Sequence, residues 1–143
     1  MRATRLIDSP IISRELHPSI GDNIQGPSLI RTPEWITSPL GKYYLYFADH
    51  KGSYIRLAYA DNLIGPWTIY PPGSLQLANS CFLTEPPDAP AEAVEKISRQ
   101  REESIGSGFR WTSDELPHDL LTELTTPHIA SPDVHVDLEN RQI

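Results

Sequence analysis

Residues 43 to 70 hold the feature that most restricts how this chain folds. Two runs, Tyr43-Tyr-Leu-Tyr-Phe-Ala48 and Tyr54-Ile-Arg-Leu-Ala-Tyr-Ala60, consist largely of aromatic and aliphatic residues. They flank Asp49-His50-Lys51-Gly52-Ser53, a link of turn-forming types. Links of four or five residues between such runs usually wrap a type I turn and close a β-hairpin. Gly65-Pro66 then breaks the chain, and Trp67-Thr-Ile-Tyr70 begins a third run. Strand, turn, strand, turn, strand makes a meander. Pro71-Pro72-Gly73 is expected to end it, followed by a short strand at residues 75–78.

A meander of aromatic strands is the way a propeller blade is built. Four pieces of this region, taken in order, carry a resemblance. They are Gly26-Pro27-Ser28-Leu29-Ile30, Gly41-Lys42-Tyr43-Tyr44-Leu45-Tyr46-Phe47, Ile55-Arg56-Leu57-Ala58-Tyr59-Ala60 and Leu63-Ile64-Gly65-Pro66-Trp67. Together they resemble the inner, second and third strands, and the turn into the fourth, of the five-bladed β-propeller glycoside hydrolases. Within that group the likeness is to the arabinanase and β-xylosidase type, glycoside hydrolase family 43 and its relatives. The resemblance covers residues 23–70, about a third of the chain. It implies a first blade with its lead-in at residues 14–78 and, as an activity, hydrolysis of O-glycosyl bonds.

The whole chain has 143 residues, enough for one ordinary core. Its apolar content of 38% is low, and 14 prolines with 8 glycines signal many turns. The net charge of −7 argues against a nucleic-acid backbone or an anionic membrane as the main partner, because both need a positive field. There is no apolar run long enough to span a bilayer and no signal-peptide core before Asp8 and Pro10, so a cytoplasmic setting is expected. Cys81 is the single cysteine and reads as a small buried hydrophobe rather than a nucleophile. No cofactor is expected.

Asn23-Ile24-Gln25-Gly26-Pro27-Ser28-Leu29-Ile30 has a counterpart in His128-Ile129-Ala130-Ser131-Pro132-Asp133-Val134-His135. Both read polar, Ile, spacer, small, Pro, Ser or Asp, aliphatic, at a constant offset of 105 (128 − 23). Internal repetition of one supersecondary unit is the mark of propellers and solenoids. A second blade is therefore expected to start at residues 128–143, with 137–143 as the turn toward its second strand. One blade and part of another cannot close a ring, so the chain reads as the N-terminal piece of a longer propeller whose other blades are its partners. The alternative is a self-sufficient small β domain with a coincidental repeat.

Residues 79–127 read as an insertion. Glu85-Pro-Pro-Asp-Ala-Pro90 is a stiff connector, and residues 91–105 have helix formers with Val94, Ile97 and Ile105 at helical spacing. A second short helix is expected around residues 116–124. Residues 5–13 read as an edge strand. The expected class is thus mostly β, a propeller fragment with a helical insertion.

Ligands of propellers sit where the inner strands begin. That geometry nominates Asn23 and Gln25 from the first blade and His128, Asp133 and His135 from the second as contacts to a carbohydrate or glycoside; His50 in the hairpin turn is a further candidate. The resembled family implies a carboxylate base on the first blade, a second carboxylate that tunes it, and a Glu acid on the third. Two carboxylates are a physical need, one to protonate the leaving oxygen and one to activate water roughly 6.5–9.5 Å away for inversion. Here the family's Asp-Pro pairs become Gly26-Pro27 and Ser131-Pro132, which hold no proton at neutral pH. Asp133, one step past its proline, is the one carboxylate near the expected place and the single catalytic candidate, though a one-residue offset turns a strand side chain to the other face. The third-blade acid would lie beyond Ile143.

His128 and His135 are seven apart, about 23 Å if fully extended, so one ion cannot join them without a sharp turn and no metal site is expected. Asp133, His135 and Asp137 alternate with Val134 and Val136, which equally describes an ordinary half-exposed strand. Tyrosines 43, 44, 46, 54 and 59 read as packing, Trp67 as a wedge between blades, and Trp35 as either a sugar-stacking platform or a cover for the blade. Two functions follow: a glycoside hydrolase-like propeller, inactive as this chain alone, or a non-catalytic propeller that binds carbohydrate or scaffolds a partner.

Overall fold

The computed structural model describes residues 4–106 and 125–143. The chain divides into two compact units, Met1–Phe82 with His128–Ile143, and Leu83–Pro127. In the first unit, β1 (Gln25–Arg31), β2 (Tyr43–Ala48), β3 (Tyr54–Ala60) and β4 (Thr68–Gln76) form a four-stranded antiparallel sheet in chain order. The described fold is mostly sheet, with one α-helix. Residues 49–53 connect β2 to β3 as their turn chemistry requires.

Successive residues of a strand point to opposite faces, and both faces of this sheet are covered. Leu45, Phe47, Ala58, Ala60 and Trp67 pack on one face with Ile20. Tyr44, Tyr46, Ala48, Ile55 and Leu57 pack on the other with Ile30 and Ile129. This two-sided burial explains why β2 and β3 read as continuous apolar runs.

The lead-in covers the first face. Residues 5–13 were expected to be an edge strand but form none; the chain instead makes two 3-10 turns, Arg14–Leu16 and Pro18–Ile20. Pro10 has no N–H for a ladder, and Ile12 and Ile20 turn onto the sheet's face rather than lying beside it.

Residues 128–136 cover the second face. Ile129 is 4% exposed, its N–H donates to the Gly52 carbonyl at 2.9 Å, and Ala130, Val134 and Val136 pack behind it. The Ser28 hydroxyl accepts from Val134 N–H at 2.9 Å and donates to Val134 O at 3.4 Å. Backbone groups alternate sides along an extended chain, so those of Asp133 and His135 face away from Ser28. They have no backbone partner among the described residues. At residues 137–142 the chain turns back, with Asp137 bridged to Gln142 and its Oδ1 accepting the N–H groups of Glu139 and Asn140.

The two repeats lie side by side. Gly26 and Ser131, each the residue before a proline, both have left-handed backbone, with φ of 59° and 53°. A Cβ on Gly26 would stand 2.5 Å from Ser131 Cα, so only glycine permits this approach. In β1 the Gly26-Pro27 step is a bulge, two residues facing Phe47 between the Gln25–Ala48 and Ser28–Tyr46 pairs.

Pro71-Pro72-Gly73 does not end the meander as expected. The register against β3 jumps from Leu57–Tyr70 to Ile55–Leu75, leaving residues 71–74 opposite Arg56 as a wide bulge through which β4 continues. A proline without an N–H is tolerated there because a bulge and a sheet edge ask for no ladder donor. Leu75 and Gln76 therefore belong to β4, and Leu77–Asn79 is a 3-10 turn rather than strand.

In the second unit α1 (Ala91–Gly106) occupies the expected span. The Pro90 carbonyl accepts the N–H groups of Ala93 and Val94, and Arg99 pairs with Glu95 one turn back at 2.9 Å. The second helix expected around residues 116–124 lies outside the described residues.

Candidate functional site

One end of the sheet, where β1 begins and β2 turns into β3, gathers most of the polar residues nominated from sequence. The amide Nε2 of Gln25 lies 3.3 Å from His50 Nδ1. The bond from Ile129 to Gly52 sets His128 beside the same hairpin, and Gly26 sets Ser131 beside Gln25. Asn23 enters through its backbone, whose carbonyl accepts from Arg56 Nη1 at 3.0 Å.

Beneath this rim lies a charged group that sequence reasoning missed. Arg56 is 6% exposed, on the lead-in face of β3. Its Nη2 donates to Asp49 Oδ2 at 3.2 Å, and its guanidinium carbon sits 5.9 Å from the centre of the Tyr54 ring. Asp49 Oδ1 accepts the His50 N–H at 2.8 Å, and the Asp49 carbonyl accepts the Gly52 N–H at 3.3 Å. Gly21, with φ of 70°, leaves the room that the guanidinium takes, since a Cβ there would stand 3.2 Å from Nη2. Read as a turn residue, Asp49 proved to be the carboxylate nearest Gln25 and His50 in this network. The one available signal was an arginine inside an otherwise apolar strand.

Asp133 and His135 are placed elsewhere. They pair at 3.1 Å on the outer face of residues 131–136, with side chains 85% and 80% exposed. His135 and Trp35 line a groove of about 1130 Å³ at the far end of β1, with Arg31, Glu34 and Arg141. The sequence placed His135 with Gln25; the structure sets it next to Val134, which bonds Ser28 in the middle of β1, and pairs it with Asp133. Trp67 is buried within its own unit, its Nε1 donating to Leu63 O at 3.3 Å.

Among the described residues no three His, Cys, Asp or Glu side chains are grouped to hold a metal ion. Burial, and then the neighbouring Tyr44, push the Tyr46 hydroxyl's pKa above the ordinary tyrosine value. The rim's own groups are an amide, imidazoles and a paired carboxylate, which together accept and donate hydrogen bonds without a strong nucleophile. No described helix is long and apolar enough to cross a membrane.

No family model and no solved structure matches this chain. The chain is similar to Uncharacterized protein R118 of Acanthamoeba polyphaga mimivirus, 43% identical over 63 residues. The match takes in 39% of this chain and 18% of the viral protein, so the chain spans under a fifth of that relative.

Proposed function

We propose that this chain is part of a glycoside hydrolase-like β-propeller, acting on carbohydrate, with the sugar held at the rim formed by Asn23, Gln25, His50 and His128. The observation that carries the reading is the side-by-side seating of Gly26-Pro27 and Ser131-Pro132, both left-handed before their prolines. Successive inner strands of a propeller run alongside one another in this way, and their beginnings frame the ligand funnel. Under this reading residues 128–136 are the inner strand of a second blade, and hydrolysis of O-glycosyl bonds belongs to the longer protein. Amide and imidazole groups of the rim suit hydroxyl-rich ligands.

A non-catalytic, carbohydrate-binding propeller is the second reading, and one observation favours it. The contact with Ser131 that excludes a Cβ at Gly26 also excludes the carboxylate that the resembled family carries there. Asp133 supplies no replacement, since it is exposed and tied to His135.

Titration of the isotopically labelled chain with an aryl β-xyloside and an aryl α-arabinoside tests the proposal by NMR. Saturable shifts at Gln25 and His50, with no release of the aryl alcohol, are expected. Absence of any shift at millimolar glycoside overturns sugar binding, and turnover by the chain overturns the non-catalytic reading.

A further inference from the structure

We infer that Arg56 is the positioning residue of the sugar-binding rim, a role that rests on the proposed function above. Its guanidinium joins three separate pieces of chain: the lead-in through Asn23 O, the hairpin through Asp49, and β3 itself. Burying an arginine is a poor route to stability. Removing a cation from water costs several kcal/mol, and an apolar side chain of similar volume often serves as well or better. Here the cost is only partly met, because Nε is buried without a partner among the described residues. Gly21 adopts a left-handed conformation beside the guanidinium, and β4 bulges by residues 71–74 opposite the same residue. Such an arrangement secures geometry rather than stability.

The geometry secured is that of the rim. One Asp49 oxygen takes Nη2 of Arg56 while the other takes the N–H of His50, so the guanidinium sets the hairpin through a single carboxylate. At the same time Nη1 holds the carbonyl of Asn23, two residues before Gln25. The Gln25–His50 contact joins these two held segments. Arg56 touches no ligand; it sets the spacing between groups that do. Lysine keeps the charge but cannot present two donors in a fixed fork, so Arg56→Lys isolates the geometric part of the role.

The 143-residue chain with Arg56→Lys is compared with Ile30→Val, a core change that lowers stability without touching the rim. In ligand-free protein the His50 ring and Gln25 amide resonances are expected to move in Arg56→Lys and to stay in Ile30→Val. Affinity for 4-nitrophenyl β-xyloside should fall by about tenfold or more in Arg56→Lys, with Asp49→Asn adding little in the double variant because both break one network. A folded Arg56→Lys protein with unmoved Gln25 and His50 signals, or with unchanged affinity, overturns the inference. Should Arg56→Lys fail to fold, Asp49→Asn applies the same test from the more exposed side of the pair. If the unaltered chain binds no xyloside, the proposed function fails, while the ligand-free resonances still decide whether Arg56 sets the rim.

Discussion

Residues 25–31 and 130–136 share one pattern, one proline and one left-handed residue before it, yet only the first is a strand of a ladder. β1 has β2 on its flank, which answers its backbone groups. Residues 130–136 have the extended shape and the alternating burial, and use one hydroxyl, that of Ser28, as their backbone contact with the sheet. The difference teaches that pattern sets the shape of a segment, whereas a neighbour makes it a strand.

The strongest way to break this comparison is at the contact between the two copies. Gly26→Ala forces a left-handed alanine and sets its Cβ against Ser131 Cα, and should cost about 2–5 kcal/mol, the left-handed penalty added to overpacking. Denaturant unfolding measures it, with the signals of Ile129 and Val134 showing whether residues 128–136 leave the sheet. Ser28→Ala removes the one group serving both the N–H and C=O of Val134 and should cost about 1–3 kcal/mol. A loss confined to residues 128–136, with β1–β4 amide protection unchanged in hydrogen exchange, would show that the second copy depends on the first and not the reverse.

Ser131→Gly sharpens the comparison by making the second copy match the first. Relief of left-handed strain against glycine's greater chain entropy leaves a gain below about 1 kcal/mol, read as a small rise in midpoint. The smallest effect is expected from acid. Hydrogen bonds from the Asn140 backbone, then its side chain, hold Asp137's carboxyl below the usual aspartate value. A lowered folded pKa gives stability that is full above the unfolded value and lost as pH falls through the folded one. The 137–142 turn should therefore loosen below about pH 4, while the sheet stays folded, and Asp137→Asn should flatten that titration in the amide shifts of Glu139 and Asn140.

The hairpin was legible because Asp49 to Ser53 combine turn chemistry with apolar flanks, and those local causes are written in order along the chain. The repeat was legible for the same reason. The left-handed Ser131 was not, since serine has no intrinsic preference for that backbone and takes it from its seat against Gly26. Pro71-Pro72-Gly73 read as a stop because these residues do break ladders; that β4 resumes beyond them depends on Ile55 finding Leu75. Arg56 was hidden by its type. Arginine in a strand reads as a solvated tip, and only the lead-in folding over that face turns it into a buried clamp. The rim was therefore half visible, as polar side chains near strand beginnings, while the pair that organises it required three distant segments to meet.

The two borders of the first unit are guarded unequally. Pro71 and Pro72 remove two donors from the edge strand β4, while the backbone groups of Asp133 and His135, without a backbone partner among the described residues, lie behind a screen of charge. Endless fibrils need a donor row at both borders of every molecule, and the two prolines interrupt one of them. Edge-to-edge growth through β4 should thus be slowed where the ladder is broken, without any group having to be buried to achieve it.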